Sequence, residues 1–338
     1  MKRAIRPVLS PVVVVVMIAL SWSPSFAETV LRLASESSTG SIPYQALEKL
    51  AEYVKQKTNG EYSIRIFPGG QLGPVRDAMQ QLKMLTLDLV GATNNSPTVM
   101  KEGKNFNATA APFVFHDMDE YRKFLETPLA KEMDGALEKG GVKVVAYMGD
   151  RPPRALTTTS KPVRTPADMA GAKYRVPPMK SILAFFQECG ARPTPLPFTE
   201  LFTALKTGVV EGQDNGIDIV EPNGFYEVQK YYMKLDHALG AHMLYAANTK
   251  WQAWPENLKR ALVDGSKVAA DWNNKAFAEF EKVAFTRLRE KGMTIIDVNP
   301  KDFEECGKRV WTKFDGDLWD KGFMDRVQQE LAKIRRER

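Results

Sequence analysis

The residue with the clearest binding chemistry is an arginine at the end of a predicted strand. Arg175 lies in Tyr174-Arg175-Val176, and the prolines at 177 and 178 end that strand sharply. Ligands of open α/β sheets bind outside the carboxyl ends of strands, and a guanidinium matches a carboxylate bidentately. Arg175 therefore predicts a carboxylate site, with a structural ion pair to an Asp or Glu as the alternative.

Two other segments could contact an anion. Arg154 precedes the hydroxyl-rich run at 157–160, which suits an oxyanion but also suits any loop. Asn215 is followed by Gly216, and Asn-Gly is first of all a turn signal. On position alone, each is a weaker candidate than Arg175.

Motifs of enzymes and metal sites are absent from the sequence. It contains no Gly-x-Ser-x-Gly elbow, no dinucleotide-binding fingerprint and no P-loop. His116, His237 and His242 show no metal-ligand spacing, and two cysteines are too few for a Cys-rich zinc site. Asp117 is expected to cap a helix. We therefore predict a binding protein with no catalytic residue, no metal and no cofactor.

The first 27 residues have the three-part layout of a secretory signal peptide. Lys2, Arg3 and Arg6 precede an apolar run at 12–20, which is far shorter than the roughly 20 residues of a bilayer span. Small residues before position 28 place cleavage after Ala27. An uncleaved N-terminal anchor is the alternative.

Composition indicates a soluble chain of about two domains, with 338 residues, 43% hydrophobic and 26% charged. Removing the three basic residues of the leader lowers the net charge from +6 to +3. That charge does not indicate nucleic acid binding, but it leaves room for a cationic pocket. Cys189 and Cys306 could pair in an oxidising compartment, although we favour two buried free thiols.

Periodicity predicts helices alternating with strands at 29–34, 61–67, 85–90, 142–147 and 172–176. Ser41 and Thr199 are expected to cap helices, and Pro74 to start one. This alternation is typical of α/β domains with largely parallel sheets. Residues 255–291 predict one helix about 55 Å long at 1.5 Å per residue, enough to span two lobes. A break near Gly265 or Asn273 is the alternative.

Two longer segments carry a family resemblance. Gly-Ala-Lys-Tyr-Arg-Val-Pro at 171–177 and Gly-Ala-Arg-Pro-Thr-Pro-Leu-Pro-Phe-Thr-Glu-Leu-Phe-Thr-Ala-Leu-Lys-Thr-Gly-Val-Val-Glu-Gly-Gln-Asp-Asn at 190–215 resemble the solute-binding proteins of TRAP transporters, dicarboxylate-binding (DctP) type. Segments 68–73 and 225–230 are similar to the same family, so the resemblance covers nearly the whole mature chain.

The resemblance implies an α/β periplasmic binding-protein fold with two lobes, a hinge and a long helix spanning both lobes. Lobe I is then expected at 28–152 and 240–280, and lobe II at 153–239 and 281–338.

The resemblance also implies roles for individual residues. Arg175 would clamp the ligand carboxylate, with Arg154 as the best counterpart of an assisting second arginine. The residues assigned to the ligand are Arg175, Arg154, Asn215, Phe198, Thr93 and Asn94. Asp150 and Arg151 add charges near the same loop, and either could touch the ligand. The acid stays open among C4-dicarboxylates, sugar acids, oxo acids and aromatic acids.

The function implied by the resemblance is capture of an organic acid and its delivery to the small and large membrane subunits of a TRAP permease. We expect a periplasmic monomer with no nucleic acid partner. Two alternatives remain: a binding protein for an ABC importer or a sensor, and a periplasmic enzyme on a two-lobe fold. A catalytic base near Arg175 would favour the enzyme.

Overall fold

The computed structural model describes residues 28–337, so the predicted signal peptide and its cleavage site lie outside the described residues. In chain order the helices and strands are β1 (Thr29–Ser35), α1 (Ile42–Lys57), β2 (Tyr62–Phe67), α2 (Val75–Lys83), β3 (Leu89–Thr93), α3 (Phe106–Thr109), α4 (Met118–Leu125), α5 (Pro128–Lys139), β4 (Val142–Arg151), β5 (Ala155–Thr158), β6 (Lys173–Val176), α6 (Lys180–Glu188), β7 (Arg192–Pro195), α7 (Leu201–Lys206), β8 (Gly212–Asn215), α8 (Ile217–Val220), β9 (Tyr231–Lys234), β10 (Gly240–Ala247), α9 (Asn248–Ala253), α10 (Glu256–Glu290), β11 (Thr294–Asp297), α11 (Lys301–Lys313) and α12 (Phe323–Arg336).

The strands form two mixed sheets, one in each of two lobes. The first has the order β2-β1-β3-β10-β4 and the second β11-β9-β5-β8-β6-β7. Strand β10 runs antiparallel to β3 and β4, and β5 runs antiparallel to β8 and β9. The sheets are therefore largely parallel, as predicted, with one antiparallel strand each, because the first strand after each direct crossing between the sheets runs against its neighbours.

Three connections join the two sheets. Residues 152–154 lead from β4 to β5, residues 235–239 lead from β9 to β10, and α10 continues from the first lobe into the second. Helix α10 packs against α1 and β4 at one end and against α8 and β11 at the other. The fold class predicted from the resemblance, with one helix spanning both lobes, is confirmed.

The two positions where α10 could have broken are contact points instead. Gly265 faces α1 so closely that an added Cβ would lie 3.0 Å from Leu50 and from Tyr53. The Asn273 side-chain amide donates to the Asp150 carbonyl at 2.9 Å. The helix is continuous over 35 residues, or about 52 Å at 1.5 Å per residue.

Helix starts follow the predicted capping chemistry at most positions. The Ser41 side chain accepts from Tyr44 N–H at 3.4 Å, and Asp117 accepts from Glu120 N–H at 2.8 Å. Thr199 is not a cap, because it lies inside a 3-10 turn that leads directly into α7. The strand predicted at 85–90 is shifted to β3, because Leu85 has a φ of 60° and lies in a turn.

Apolar side chains bury the inner faces of both sheets. In the first lobe Leu33, Leu47 and Leu262 are buried between the sheet, α1 and α10. In the second lobe Leu205 and Leu288 are buried with α7 and α8. Each buried leucine contributes about 1.5–3 kcal/mol by removing its surface from water.

The C-terminal helix crosses back to the first lobe. Helix α12 packs against α3, α4 and α5, while α11 packs against α6 of the second lobe. The residue limits of the lobes stay a prediction, which assigned α12 to lobe II although the helices that it contacts fall within the predicted lobe I. Within residues 28–337, no helix is both long and apolar enough to cross a bilayer.

Candidate binding site

A cavity of about 430 Å³ lies between the lobes, where strand ends of both sheets meet. Strands β1, β3 and β4 point their carboxyl ends to this edge of the first sheet, and β6 and β8 do so in the second. Because β5 runs antiparallel to β8, its amino end lies at the same edge. The polar and charged cavity-lining residues on or beside these strand ends are Ser35, Glu36, Thr93, Arg151, Arg154, Arg175, Asn215 and His242.

Arg175 lines the cavity from the end of β6, as predicted, between β7 and β8. Its side chain is 2% exposed, and its Nε donates to the Leu196 carbonyl at 2.9 Å. Within residues 28–337 it forms no ion pair, and its two terminal nitrogens donate no hydrogen bond. Burial lowers the pKa of Arg175 to about 10, with Asp214 raising it and Arg154 lowering it. It therefore stays charged at neutral pH.

Arg154 also lines the cavity, but it is already paired. Its Nε and Nη2 contact the two carboxylate oxygens of Asp214 at 2.6 and 3.0 Å, a bidentate pair. His237 Nε2 lies 3.3 Å from the same carboxylate, and its ring stacks on Phe185. Burial alone would raise the pKa of Asp214, but Arg154 and His237 lower it to about 2.

A third cavity arginine is also paired with a buried aspartate, but through a single carboxylate oxygen. Arg151 Nε and Nη2 both contact Asp218 at 3.0 Å. His242 lines the cavity nearby, stacks on Phe277, and has a buried Nε2 with no partner among the described residues. Burial and Arg151 lower the pKa of His242 well below its usual value, so the imidazole is neutral.

Three of the neutral residues predicted for the site also line the cavity. Asn215 ends β8 and donates to the Gln213 side chain at 2.7 Å. Phe198 contacts Phe225 edge to face and presents an aromatic wall. The hydroxyl of Thr93 lies at the end of β3, 3.3 Å from Ser96 Oγ.

Asn94 is the predicted site residue that the structure does not bring to the cavity. Its Oδ1 accepts from Ala241 N–H at 3.1 Å, which ties the end of β3 to β10. Strand β3 ends at Thr93, and in the turn that follows Asn95 lines the cavity while Asn94 does not. Asp150, which was named with Arg151 as a possible ligand contact, also lies outside the cavity lining. Its carboxylate accepts hydrogen bonds from Arg122 and Tyr147.

Several cavity residues were missed from the sequence, among them the ionisable residues Glu36, Arg76 and His242. Glu36 directly follows β1, and His242 lies near the start of β10. The rule that found Arg175, a polar residue at the carboxyl end of a strand, also applies to Glu36 and could have found it. No comparable signal marks His242, because β10 was not predicted.

Both cysteines are buried free thiols in the interface of α6 with α11. Cys189 directly follows α6, and Arg309 Nη2 donates to Cys306 Sγ at 3.4 Å. This agrees with the interpretation favoured from composition.

Comparison with known proteins connects this geometry to a family. The model of the family described as bacterial extracellular solute-binding protein, family 7 (DctP), matches residues 33–316. The 2,3-diketo-L-gulonate-binding periplasmic protein YiaO of Escherichia coli is 29% identical over 301 residues, covering 87% of this chain and 89% of that protein. The sialic acid-binding periplasmic protein SiaP of Vibrio cholerae is 28% identical, covering 90% and 95%.

A solved structure shows the same fold. A TRAP periplasmic solute-binding protein from Ochrobactrum anthropi, crystallised with bound L-fuconate, superposes with a TM-score of 0.82. It is 26% identical, and the match covers 90% of this chain and all of that chain.

Proposed function

We propose that this chain, which belongs to family 7 of the bacterial extracellular solute-binding proteins, captures a small organic acid anion in the periplasm and delivers it to a TRAP membrane permease. The observation that carries the proposal is the buried, unpaired guanidinium of Arg175 on the cavity wall. Relatives named for 2,3-diketo-L-gulonate and for sialic acid support an acidic ligand.

The affinity of such a site comes from the unfavourable free energy of a buried arginine charge that has no partner until the ligand binds. A buried cation without a partner is unfavourable, and a ligand carboxylate that forms two hydrogen bonds with it removes that cost. Breaking a buried pair of this kind costs about 3–5 kcal/mol, or roughly two to four decades of affinity. Arg175 is therefore the residue that anchors the ligand.

The other lining residues have supporting roles in this proposal. Asn215 and Thr93 offer hydrogen bonds to polar groups of the ligand, and Phe198 covers its apolar face. Arg154 supports the site by fixing the strand ends through Asp214, with one terminal nitrogen, Nη1, left for the ligand. Asn94 acts behind the wall by holding β3 against β10.

Delivery follows from the two-lobe architecture. A ligand that touches both cavity walls stabilises the closed arrangement of the lobes. The size of that stabilisation is set by the contacts that form only when the lobes close. The crossings at 152–154 and 235–239 are short enough to serve as a hinge, and α10 ties the lobes together. In this proposal the small and large permease subunits recognise the closed monomer, and residues 1–27 direct the chain to the periplasm before cleavage after Ala27.

The proposal assigns no catalytic step to the cavity. The relatives of this chain are solute-binding proteins. The histidine on the cavity wall, His242, is buried against Phe277, and His237 is held by Asp214 outside the lining. Within the described part of the chain, neither histidine forms a hydrogen bond with Arg175.

The test is ligand binding by the mature protein, unfolded and refolded to remove any bound acid, against a panel of organic acids. Thermal shift should reveal the acid class, since ligand at 100 times its dissociation constant adds about 2.7 kcal/mol of stability. Calorimetry should then show that Arg175→Ala weakens binding at least about 100-fold.

Arg164→Ala is the matched control, because Arg164 is an exposed arginine of the second lobe outside the cavity lining. It should bind as the wild type does. Equal affinity of the Arg175→Ala variant and the wild type would overturn the assignment.

A further inference from the structure

The cavity contains a carboxylate of its own. Glu36 directly follows β1 and lines the cavity from the first lobe. Its Oε1 accepts a hydrogen bond from Val75 N–H at 3.0 Å, which fixes the side chain at the start of α2. Burial raises the pKa of Glu36, while Val75 and the nearby charge of Arg175 lower it. Both Glu36 and Arg175 line this cavity, so their opposite charges face the same space.

The charges on the cavity wall nearly cancel. The charged lining residues in the described part of the chain are Glu36, Arg76, Arg151, Arg154 and Arg175. Asp218 and Asp214 neutralise Arg151 and Arg154, and Arg76 is exposed in the first turn of α2. The interior is left with one cation that has no ion-pair partner, Arg175, and one anion, Glu36.

We propose that the ligand carries a single carboxylate, held by Arg175, together with a hydrogen-bond donor that Glu36 accepts, and that Glu36 excludes dicarboxylates. The donor is a hydroxyl or an ammonium group. This inference rests on the proposed function. A second ligand carboxylate would lose water and face Glu36, and bringing two like charges together in a buried interface is strongly unfavourable. A hydroxyl or ammonium in the same place gives the carboxylate oxygen a partner.

The competing arrangement uses Arg76. Its side chain is exposed at the edge of the cavity, so a dicarboxylate could place its second carboxylate there instead of beside Glu36. In that arrangement Glu36 does not discriminate between acids, and Arg76→Gln weakens dicarboxylate binding. The two arrangements therefore predict opposite preferences for matched ligands.

The experiment compares acids that differ at one end only. Calorimetry with the refolded mature protein uses aldonates, their 2-amino analogues and the corresponding aldaric diacids of four, five and six carbons. The wild type should bind at least one aldonate or amino analogue more tightly than its matched diacid by at least about tenfold. Glu36→Gln, which can still accept from Val75 N–H, should reduce that ratio at least about tenfold. A larger loss for the amino analogue identifies the donor as ammonium, and a larger loss for the aldonate identifies it as hydroxyl.

Glu126→Gln is the matched control, because Glu126 is exposed and outside the cavity lining. It should leave the ratio unchanged. If the wild type prefers the diacid and Arg175→Ala abolishes its binding, this inference is overturned and the proposed function is retained. The same holds if Glu36→Gln leaves the ratio of aldonate to diacid affinity unchanged. Binding of no acid by either the wild type or Arg175→Ala would overturn both.

Discussion

Arg154 and Arg175 lie at the same edge of the same sheet and are nearly equally buried, at 6% and 2% exposure, but their surroundings differ. Arg154 is held bidentately by Asp214, which itself contacts His237. Arg175 has a single side-chain hydrogen bond within residues 28–337, from Nε to the Leu196 carbonyl. The same residue type is therefore neutralised at one strand end and left uncompensated at the next.

The difference separates a structural charge from a binding charge. A buried ion pair with satisfied geometry fixes neighbouring backbone segments, and breaking it is costly because the remaining charge has no partner. An unpaired buried cation contributes nothing comparable to folding, but it gains a partner when a carboxylate enters the cavity. Substitutions at the Arg154 pair should mainly change stability, and substitutions at Arg175 should mainly change affinity.

The largest effect on folding is expected from Asp214→Ala. This change leaves Arg154 buried without a carboxylate and removes the partner of His237. The free energy of unfolding, measured by urea denaturation, should fall by about 3–5 kcal/mol. Replacing Arg154 and Asp214 together by apolar residues should recover much of the loss, because no isolated charge remains.

Asp297→Ala is the control for this comparison. Its carboxylate contacts Lys234 at 3.1 Å but is 87% exposed, and exposed pairs contribute about 0–1 kcal/mol. If Asp214→Ala costs no more than Asp297→Ala, the distinction between a structural and a binding arginine fails.

A smaller effect, this time on binding, is expected from Arg175→Lys. Lysine keeps the positive charge but cannot form two parallel hydrogen bonds with one carboxylate. Losing one charged hydrogen bond costs about 1.5–3 kcal/mol, so ligand affinity should fall about tenfold to 100-fold, less than for Arg175→Ala. Calorimetry measures the affinity, and urea denaturation should show little change in stability. Wild-type affinity with lysine would mean that only charge matters at this position.

The sequence predicted the secondary structure best where the pattern is local. The apolar stripe of α10 and the caps of α1 and α4 depend on neighbouring residues, and the structure confirms them. The mixed sheets depend on how the chain crosses between lobes, which periodicity within a strand does not report. For the same reason β10, whose antiparallel pairing joins β3 to β4, went unpredicted.

The candidate site was also predicted best where the signal comes from neighbouring residues in the sequence. Arg175 was found because two prolines end its strand, and that signal is local. The pairing of Arg154 with Asp214 joins residues 60 positions apart, so the sequence could not show that one cavity arginine is neutralised. The placement of Asn94 was missed because this residue lies in the turn after β3, and its hydrogen bond with Ala241 joins residues 147 positions apart.

The last and smallest expected effect is on the pH dependence of stability, through the ion pair between Arg154 and Asp214. Folding lowers the pKa of Asp214 from its ordinary 3.8 to about 2, since Arg154 and His237 outweigh the effect of burial. A lowered carboxylate pKa stabilises the fold fully above about pH 4, and this contribution of about 2 kcal/mol is lost as the pH falls from about 4 to about 2. Urea denaturation at pH 7, 5, 4 and 3 should therefore show the stability gap between wild type and Asp214→Asn narrowing below pH 4. A gap that stays constant over this range would mean that Asp214 titrates alike in the folded and unfolded chain, and then Arg154 would be no better paired than Arg175.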